Sequence, residues 1–345
     1  MDYSRRAELF SKTEGGAGQC HACAHDCIIP SGGRGICGMR FNRDGEIFAP
    51  WGYVSALACD PVEKKPFFHL LPGEKALSFG MPGCNFRCRF CQNWELSQTC
   101  ENAEIMEISP EKLAASASGC GARIMAATYN EPLISAEWAK AVFEEAGKKG
   151  LVRAFVSNGF ASQKAVEYMR PALEAWKIDL KCFDDGKYRE IIGGRLQPVL
   201  DTIKLVHSLG IWTEIVTLVV PDFNDSEAGL AQTARFIASV SPEIPWHVTA
   251  FHPDYKMTGS RPAAARDLER AARAGRAAGL KYVYSGNIPG GSENTVCPDC
   301  SKTLVERAGY GAKITGLAPS KDGKTAACKH CGAAIPGIFS GPAAG

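Results

Sequence analysis

Hydrophobic and polar positions follow two periods along this chain, and the points where the pattern changes mark its organisation. Residues 1–50 are rich in Gly and Cys and show little periodicity, as in a loop-rich or metal-stapled module. From about residue 74 the pattern changes, and ALSFG (76–80) is a short apolar run that reads as a buried strand. Ser109 followed by Pro110 supplies an N-cap and a first helical residue, which predicts a helix over 109–118. Strand-like runs follow at 123–128, 152–157, 175–180, 212–219, 246–251 and 281–285. Helical patterns lie between and after them, at 132–148, 162–169, 198–208, 226–240 and 263–278. Such alternation predicts an α/β fold with a parallel sheet. About six βα units are visible, fewer than the eight of a full barrel, so the expectation is a partial TIM-like barrel. Beyond about 291 the alternation stops and two Cys pairs appear. The expected division is therefore 1–60, 61–290 and 291–345, with a frayed end at GPAAG.

Composition narrows the function classes. The chain has 345 residues, 45% hydrophobic and 22% charged, which suits a globular protein with a sizeable core. A net charge of +2 gives no reason to expect a nucleic-acid or anionic-membrane partner. No apolar run reaches transmembrane length, and MDYSRRAELFSKTEGG lacks the apolar stretch of a secretory signal. The expected location is the cytoplasm. The 15 cysteines change the picture most. Four lie within 20–37, three within 84–91, and four more form the pairs Cys297/Cys300 and Cys328/Cys331. Cys59, Cys100, Cys120 and Cys182 stand alone. In a signal-free chain, clustered Cys-x-x-Cys spacings read as metal or cluster ligands rather than disulfides. So many thiolates around iron imply a reducing or anaerobic setting.

Cys84-x3-Cys88-x2-Cys91 follows directly on the first predicted strand, with Phe90 before the third cysteine. Three thiolates hold three irons of a cubane cluster and leave the fourth open to a substrate or cofactor. The competing reading is a zinc site completed by Cys100, at a spacing unlike ordinary zinc knuckles. CNFRCRFC resembles the radical SAM signature, Cys-x3-Cys-x-aromatic-Cys. The stretch 60–98 resembles the radical SAM member of the AmmeMemoRadiSam system, a group related to the activating enzymes of pyruvate formate-lyase. TYNEP (128–132), SNGF (157–160), DLKCF (179–183), VVPDFNDS (219–226), FHPDYKM (251–257), GNIPGG (286–291) and the flanking cysteines extend the resemblance over nearly the whole chain.

The resemblance implies a partial (β/α)6 barrel of the radical SAM type. It also implies a [4Fe–4S] cluster on Cys84, Cys88 and Cys91, and S-adenosylmethionine (SAM) on the open iron. It implies an electron donor such as flavodoxin or ferredoxin, and neighbours of the Memo type. Residues are carried over by motif. TYNEP stands where related activating enzymes have a Gly-Gly-Glu segment that binds the SAM amino group. Its glycines are absent here, which leaves Glu131 as acceptor and Asn130 as a further polar contact, or the pair as turn formers. Asn158 lies in a loop after the third strand. Asp179 and Lys181 resemble an Asp-x-Lys segment that reaches SAM or substrate. His252 resembles a histidine near the SAM adenosine. Asn93 caps the cluster loop or bonds a cluster sulfur or SAM. Lys64, Lys65 and His69 form a basic group suited to an anionic substrate or to a solvated face.

Two further cysteine groups carry their own readings. Cys20-x2-Cys23-x3-Cys27-x9-Cys37, with His21 and His25 nearby, fits zinc, a second closed cluster, or no metal. Cys297-x2-Cys300 and Cys328-x2-Cys331 form a zinc-ribbon pattern that binds zinc or rubredoxin-like iron, folding a tail too small to hold its own core. The function expected is hydrogen abstraction from a small-molecule or partner-borne substrate by a 5′-deoxyadenosyl radical. A glycyl radical activating enzyme is the alternative. A multi-centre Fe–S electron carrier is disfavoured by the open three-cysteine site, and a nucleic-acid adaptor by the near-neutral charge.

Overall fold

The computed structural model describes residues 3–98, 103–289, 291, 293–320 and 325–340. Cys100 and the GPAAG end lie outside the described residues. An eight-stranded sheet forms the centre, with β1 (Ala56–Pro61), β2 (Lys75–Gly80), β3 (Ala122–Ala127), β4 (Val152–Ser157), β5 (Ala175–Asp179), β6 (Trp212–Val219), β7 (Trp246–Ala250) and β8 (Val283–Gly286) in strict chain order. β2 to β8 are parallel, and β1 is an antiparallel edge strand that the periodicity did not reveal. The sheet stays open between β1 and β8. Strands laid down in one direction by crossovers of one hand place their helices on one face and leave the other free to curl inward. Both faces of β3 and β5 are buried, as their apolar runs require.

The longer helices are α1 (Pro110–Cys120), α2 (Ala136–Lys148), α3 (Gln163–Met169), α4 (Leu196–Ser208), α5 (Glu227–Val240) and α6 (Ala265–Ala277). Three start on serine caps: Ser109, Ser162 and Ser226 accept from the N–H of Lys112, Ala165 and Gly229. The helix expected over 132–148 begins instead with a 3-10 turn, Pro132–Ser135, because the Glu131 carboxylate caps the N–H of Leu133.

Two small modules flank the sheet. Three-stranded sheets of residues 4–50 pack on α2, where the wholly buried Arg40 pairs with Glu137 and donates to Ile134 O at 2.9 Å. Glu137 also accepts from the N–H of Glu8 and Leu9 at 3.0 and 3.2 Å. At the other end, six short strands over 295–336 form two small sheets. Their core includes Leu304, Val305, Leu317 and Ile335 and is shared with Phe68, Tyr282 and Tyr284 of the central unit. Arg307 lies 4.0 Å over the Phe68 ring and donates to Phe68 O at 2.7 Å. No helix among the described residues is long and apolar enough to cross a membrane.

Candidate functional site

The thiol loop leaves β2 at Gly80. A Cβ there would stand 2.6 Å from Thr128 O, so glycine lets the ends of β2 and β3 approach closely. Asn130 then fixes the loop from the side: its amide donates to Gly83 O at 2.9 Å and its oxygen accepts from Met81 N at 3.4 Å. From below, Arg87 N and Arg89 N donate to Ile192 O and Ile191 O at 2.7 and 3.1 Å. Those carbonyls belong to a π turn, Tyr188–Ile192, a wide turn often found at functional sites. Phe86, fully buried, packs with Phe160 and Tyr188 and seals the loop's inner side. The result is that Cys84, Cys88 and Cys91 all line one cavity of about 480 Å3. No other cysteine of the described residues lines it. Burial pushes the Cys84 thiol up, helped by the nearby Glu131. Burial likewise pushes Cys88 up to about 11, opposed by Lys181. Without a metal Cys84 and Cys88 stay protonated at neutral pH. Soft thiolates facing open room fit an iron–sulfur cluster, which needs more space than a single ion.

Glu131, fully buried, ties the ends of β3 and β4 together. Oε1 accepts from Leu133 N at 3.1 Å and Ser157 Oγ at 2.9 Å; Oε2 accepts from Asn158 N at 2.7 Å and Ser157 Oγ at 3.1 Å. Burial raises it to about 7, against the pull of these donors. Its acceptor positions are largely filled by the chain itself. Asn158 donates to Asn85 Oδ1 at 2.7 Å and accepts from Phe160 N at 2.9 Å, so it braces the residue after Cys84. Asn93 donates to Tyr129 O at 2.9 Å, linking the far end of the loop to the TYNEP turn. Tyr129 holds a left-handed φ of 74°, a strained backbone for a residue with a Cβ.

Asp179 and Lys181 also line the cavity, with a third partner the sequence reading missed. Lys177 Nζ donates to Asp179 Oδ1 at 2.5 Å and Lys181 Nζ to Asp179 Oδ2 at 3.1 Å. Burial alone would raise Asp179, but Lys177 and then Lys181 hold it down to about 2. One carboxylate between two ammonium groups leaves this wall net positive. Lys177, Asp179 and Lys181 are alternate positions running off the end of one strand, so strand period was the available signal. The same rule places Val216 and Leu218 of β6, and His247 and Thr249 of β7, on the cavity wall. His247 is held by Glu214 at 2.6 Å, while Phe68, Tyr129, Tyr284 and Tyr310 add aromatic surface.

Other expected residues lie elsewhere. His252 is exposed and does not line the cavity, because the chain turns outward after β7. Lys64 and Lys65 do line it, and both pair with Asp60. His69 does not join them. Its ring nitrogens are held by Pro336 O and Tyr284 OH, both at 2.7 Å, and burial lowers it to about 4. The expected basic group therefore loses its histidine to the contact between the sheet and the C-terminal module.

Cys297, Cys300, Cys328 and Cys331 converge with all four sulfurs within 4.8 Å of one another. The pairs Cys297/Cys331 and Cys300/Cys328 stand at 3.6 and 3.7 Å. A tetrahedron of sulfurs about 2.3 Å from one ion has edges of about 3.8 Å. Cys20, Cys23, Cys27 and Cys37 lie together in the N-terminal module without reaching that spacing.

Comparison with known proteins accords with this geometry. Residues 79–234 match the Radical SAM superfamily. An uncharacterized protein of Methanocaldococcus jannaschii is 37% identical over 335 residues, covering 96% of this chain and 98% of that protein. The benzylsuccinate synthase activating enzyme of Thauera aromatica is 28% identical over 149 residues, covering 42% of this chain. That match spans 44% of the activating enzyme, less than half its length. Among solved structures, a domain of pyruvate-formate lyase-activating enzyme from Bacteroides vulgatus superposes with a TM-score of 0.42 at 20% identity. It covers 47% of this chain and 98% of that domain.

Proposed function

The chain belongs to the radical SAM superfamily, and we propose that Cys84, Cys88 and Cys91 hold its [4Fe–4S] cluster beside a bound SAM. Hydrogen abstraction from a small-molecule or partner-borne substrate is the reaction this serves. The observation that carries the reading is the three thiols lining one roomy cavity, with no fourth described cysteine beside them. When bound, the cluster and SAM supply one-electron cleavage of the sulfonium, giving methionine and a 5′-deoxyadenosyl radical.

The chain's own residues supply position and charge. Asn130, Asn93 and Asn158 hold the thiol loop against the ends of β3 and β4. Glu131 keeps those ends at fixed distance, and meeting the SAM ammonium would require it to exchange one of its present donors. Lys177, Asp179 and Lys181 present a mixed, net positive wall to the polar part of SAM or to an anionic group of the substrate. The aromatic surface of Phe68, Tyr129, Tyr284 and Tyr310 suits the rest of the substrate and keeps water from the reacting atoms. Cys297, Cys300, Cys328 and Cys331 hold one zinc or iron ion. The wider setting we assign is cytoplasmic and oxygen-poor, with a flavodoxin- or ferredoxin-type electron donor and a Memo-type neighbour.

The test is anaerobic reconstitution with iron and sulfide, followed by SAM and a strong reductant. 5′-Deoxyadenosine should form, and should be lost in Cys88→Ala. A fully loaded protein that releases none would overturn the reading. The activating-enzyme relative favours a second reading, in which the hydrogen comes from a glycine of a partner enzyme. A glycyl radical signal on an added partner would select it.

A further inference from the structure

We infer that Cys20, Cys23, Cys27 and Cys37 hold a second, closed [4Fe–4S] cluster rather than a single ion. The first observation is a contrast within one chain. The C-terminal four sulfurs are drawn to single-ion spacing, whereas no three of the N-terminal set share mutual distances within 4.8 Å. Yet the N-terminal four belong together. Cys20 N donates to Cys27 O at 2.9 Å across a hairpin. A Cβ on Gly35 would lie 3.8 Å from Cys27 Sγ, which brings the Cys37 turn against the hairpin. Cys20, Cys23 and Cys27 each sense the charge of Cys37. Four buried or half-buried thiols grouped in the fold, with no three sulfurs drawn to single-ion spacing, suit a cubane with a ligand at each iron.

The second observation is how the sulfurs are served. Arg40 N donates to Cys37 Sγ at 3.4 Å, and the backbone N–H groups of Ala22, His25 and Ile36 stand beside Cys20, Cys23 and Cys27, where they favour the thiolates. Donors of this kind stabilise thiolates and tune clusters. Arg40 is the buried cation beside Cys20 and Cys37, but it shares its charge with Glu137, so hydrogen bonds must provide much of the stabilisation. The third observation is a donor left over. Asn85 is fully buried, and among the described residues its Nδ2 has no oxygen or nitrogen hydrogen-bond partner. That amide lies against Cys23, where a thiolate or a cluster sulfide would accept from it. The set is all sulfur. Both ring nitrogens of His21 are engaged, by Asp26 at 2.7 Å and Ser11 at 2.9 Å, and His25 Nε2 is held by Asn85 O at 2.8 Å. An all-thiolate set serves either zinc or an iron–sulfur cluster, so the sulfur spacing is what selects the cluster.

The inference stands apart from the catalytic reading, and its test removes the catalytic thiols. The variant Cys84→Ala/Cys88→Ala/Cys91→Ala is reconstituted anaerobically with iron and sulfide. Iron, acid-labile sulfide and zinc are then measured, and the dithionite-reduced protein is examined by electron paramagnetic resonance. About four sulfide per chain and a reduced [4Fe–4S] signal are expected. Both should vanish when Cys20→Ser/Cys23→Ser is added. Sulfide-free protein, with zinc or nothing at the N-terminal cysteines, overturns the inference. An iron in the C-terminal site brings no sulfide and does not confuse the count. If the triple variant does not fold, the full chain answers the same question: about eight sulfide per chain supports the second cluster, and about four overturns it.

Discussion

Gly194→Ala tests how the thiol loop is held. Gly194 follows the π turn that accepts from Arg87 N and Arg89 N. A Cβ at this position would stand 2.2 Å from Phe86 Cε1 and 2.8 Å from Cζ. Neither atom is the loose end of a flexible chain, because Phe86 is 1% exposed and wedged between Phe160 and Tyr188. The ring or the turn must give way by roughly 1 Å, and overpacking of this kind costs about 1–3 kcal/mol. Because Phe86 sits between Cys84 and Cys88, the displacement also moves the two thiols proposed to hold the cluster. Gly194→Ala should therefore lower both the urea midpoint and the iron bound per chain after anaerobic reconstitution. Phe86→Leu makes room at the ring edge, and alone costs about 1–2 kcal/mol through lost burial. The double variant should recover at least about 1 kcal/mol relative to the sum of the two single changes. Additive losses, or full iron and unchanged stability in Gly194→Ala, would refute the wedge.

Three further outcomes follow from the same structure. Burial lowers His69 to about 4, so its contribution is complete above its usual 6.5 and is lost as pH falls to about 4. Glu214, held down to about 2 against burial by His247, His69 and the Phe68 N–H, keeps its contribution above its usual 4.5 and loses it as pH falls towards 2. The urea midpoint should thus decline in two steps below pH 6.5, each worth about 3 kcal/mol, and His69→Gln should flatten the first; an unaltered profile in that variant would count against the assignment. Arg40→Met leaves the Glu137 carboxylate buried beside one cation fewer, and should cost about 3–5 kcal/mol. Its signature is early proteolysis within residues 1–50, and a variant as resistant as the parent would speak against it. Stripping the metal from Cys297, Cys300, Cys328 and Cys331 should release about one ion per chain and speed amide exchange over 295–340. Unchanged exchange would show that the module folds without its ion.

Legibility differed by level. Strand and helix positions were read well because β2 to β8 are apolar runs separated by amphipathic helices, three of them serine-capped, and these signals are local. The edge strand β1, ALACDP, was missed because its faces are only half-buried and carry no clear alternation. The π turn at Tyr188–Ile192 was missed because a wide turn has no composition of its own. Lys177 and His247 were overlooked although the strand period contained them. His69 was misplaced because its partners, Pro336 and Tyr284, are distant in the chain.

The sequence by itself carried the kind of chemistry through its resemblance to the radical SAM signature at Cys84, Cys88 and Cys91, since a short cysteine motif is a local property; thiol spacing alone left zinc open. It also determined the parallel α/β sheet, since period and capping are local. Only the tertiary structure decided where charge is spent: Asp179 lies between two lysines, and Glu131 across two strand ends rather than free. Only it showed that the four sulfurs of the C-terminal pairs converge within 4.8 Å while no three of the N-terminal set do. Charge and ligand spacing depend on distances between residues far apart in the chain, which packing sets and local sequence does not.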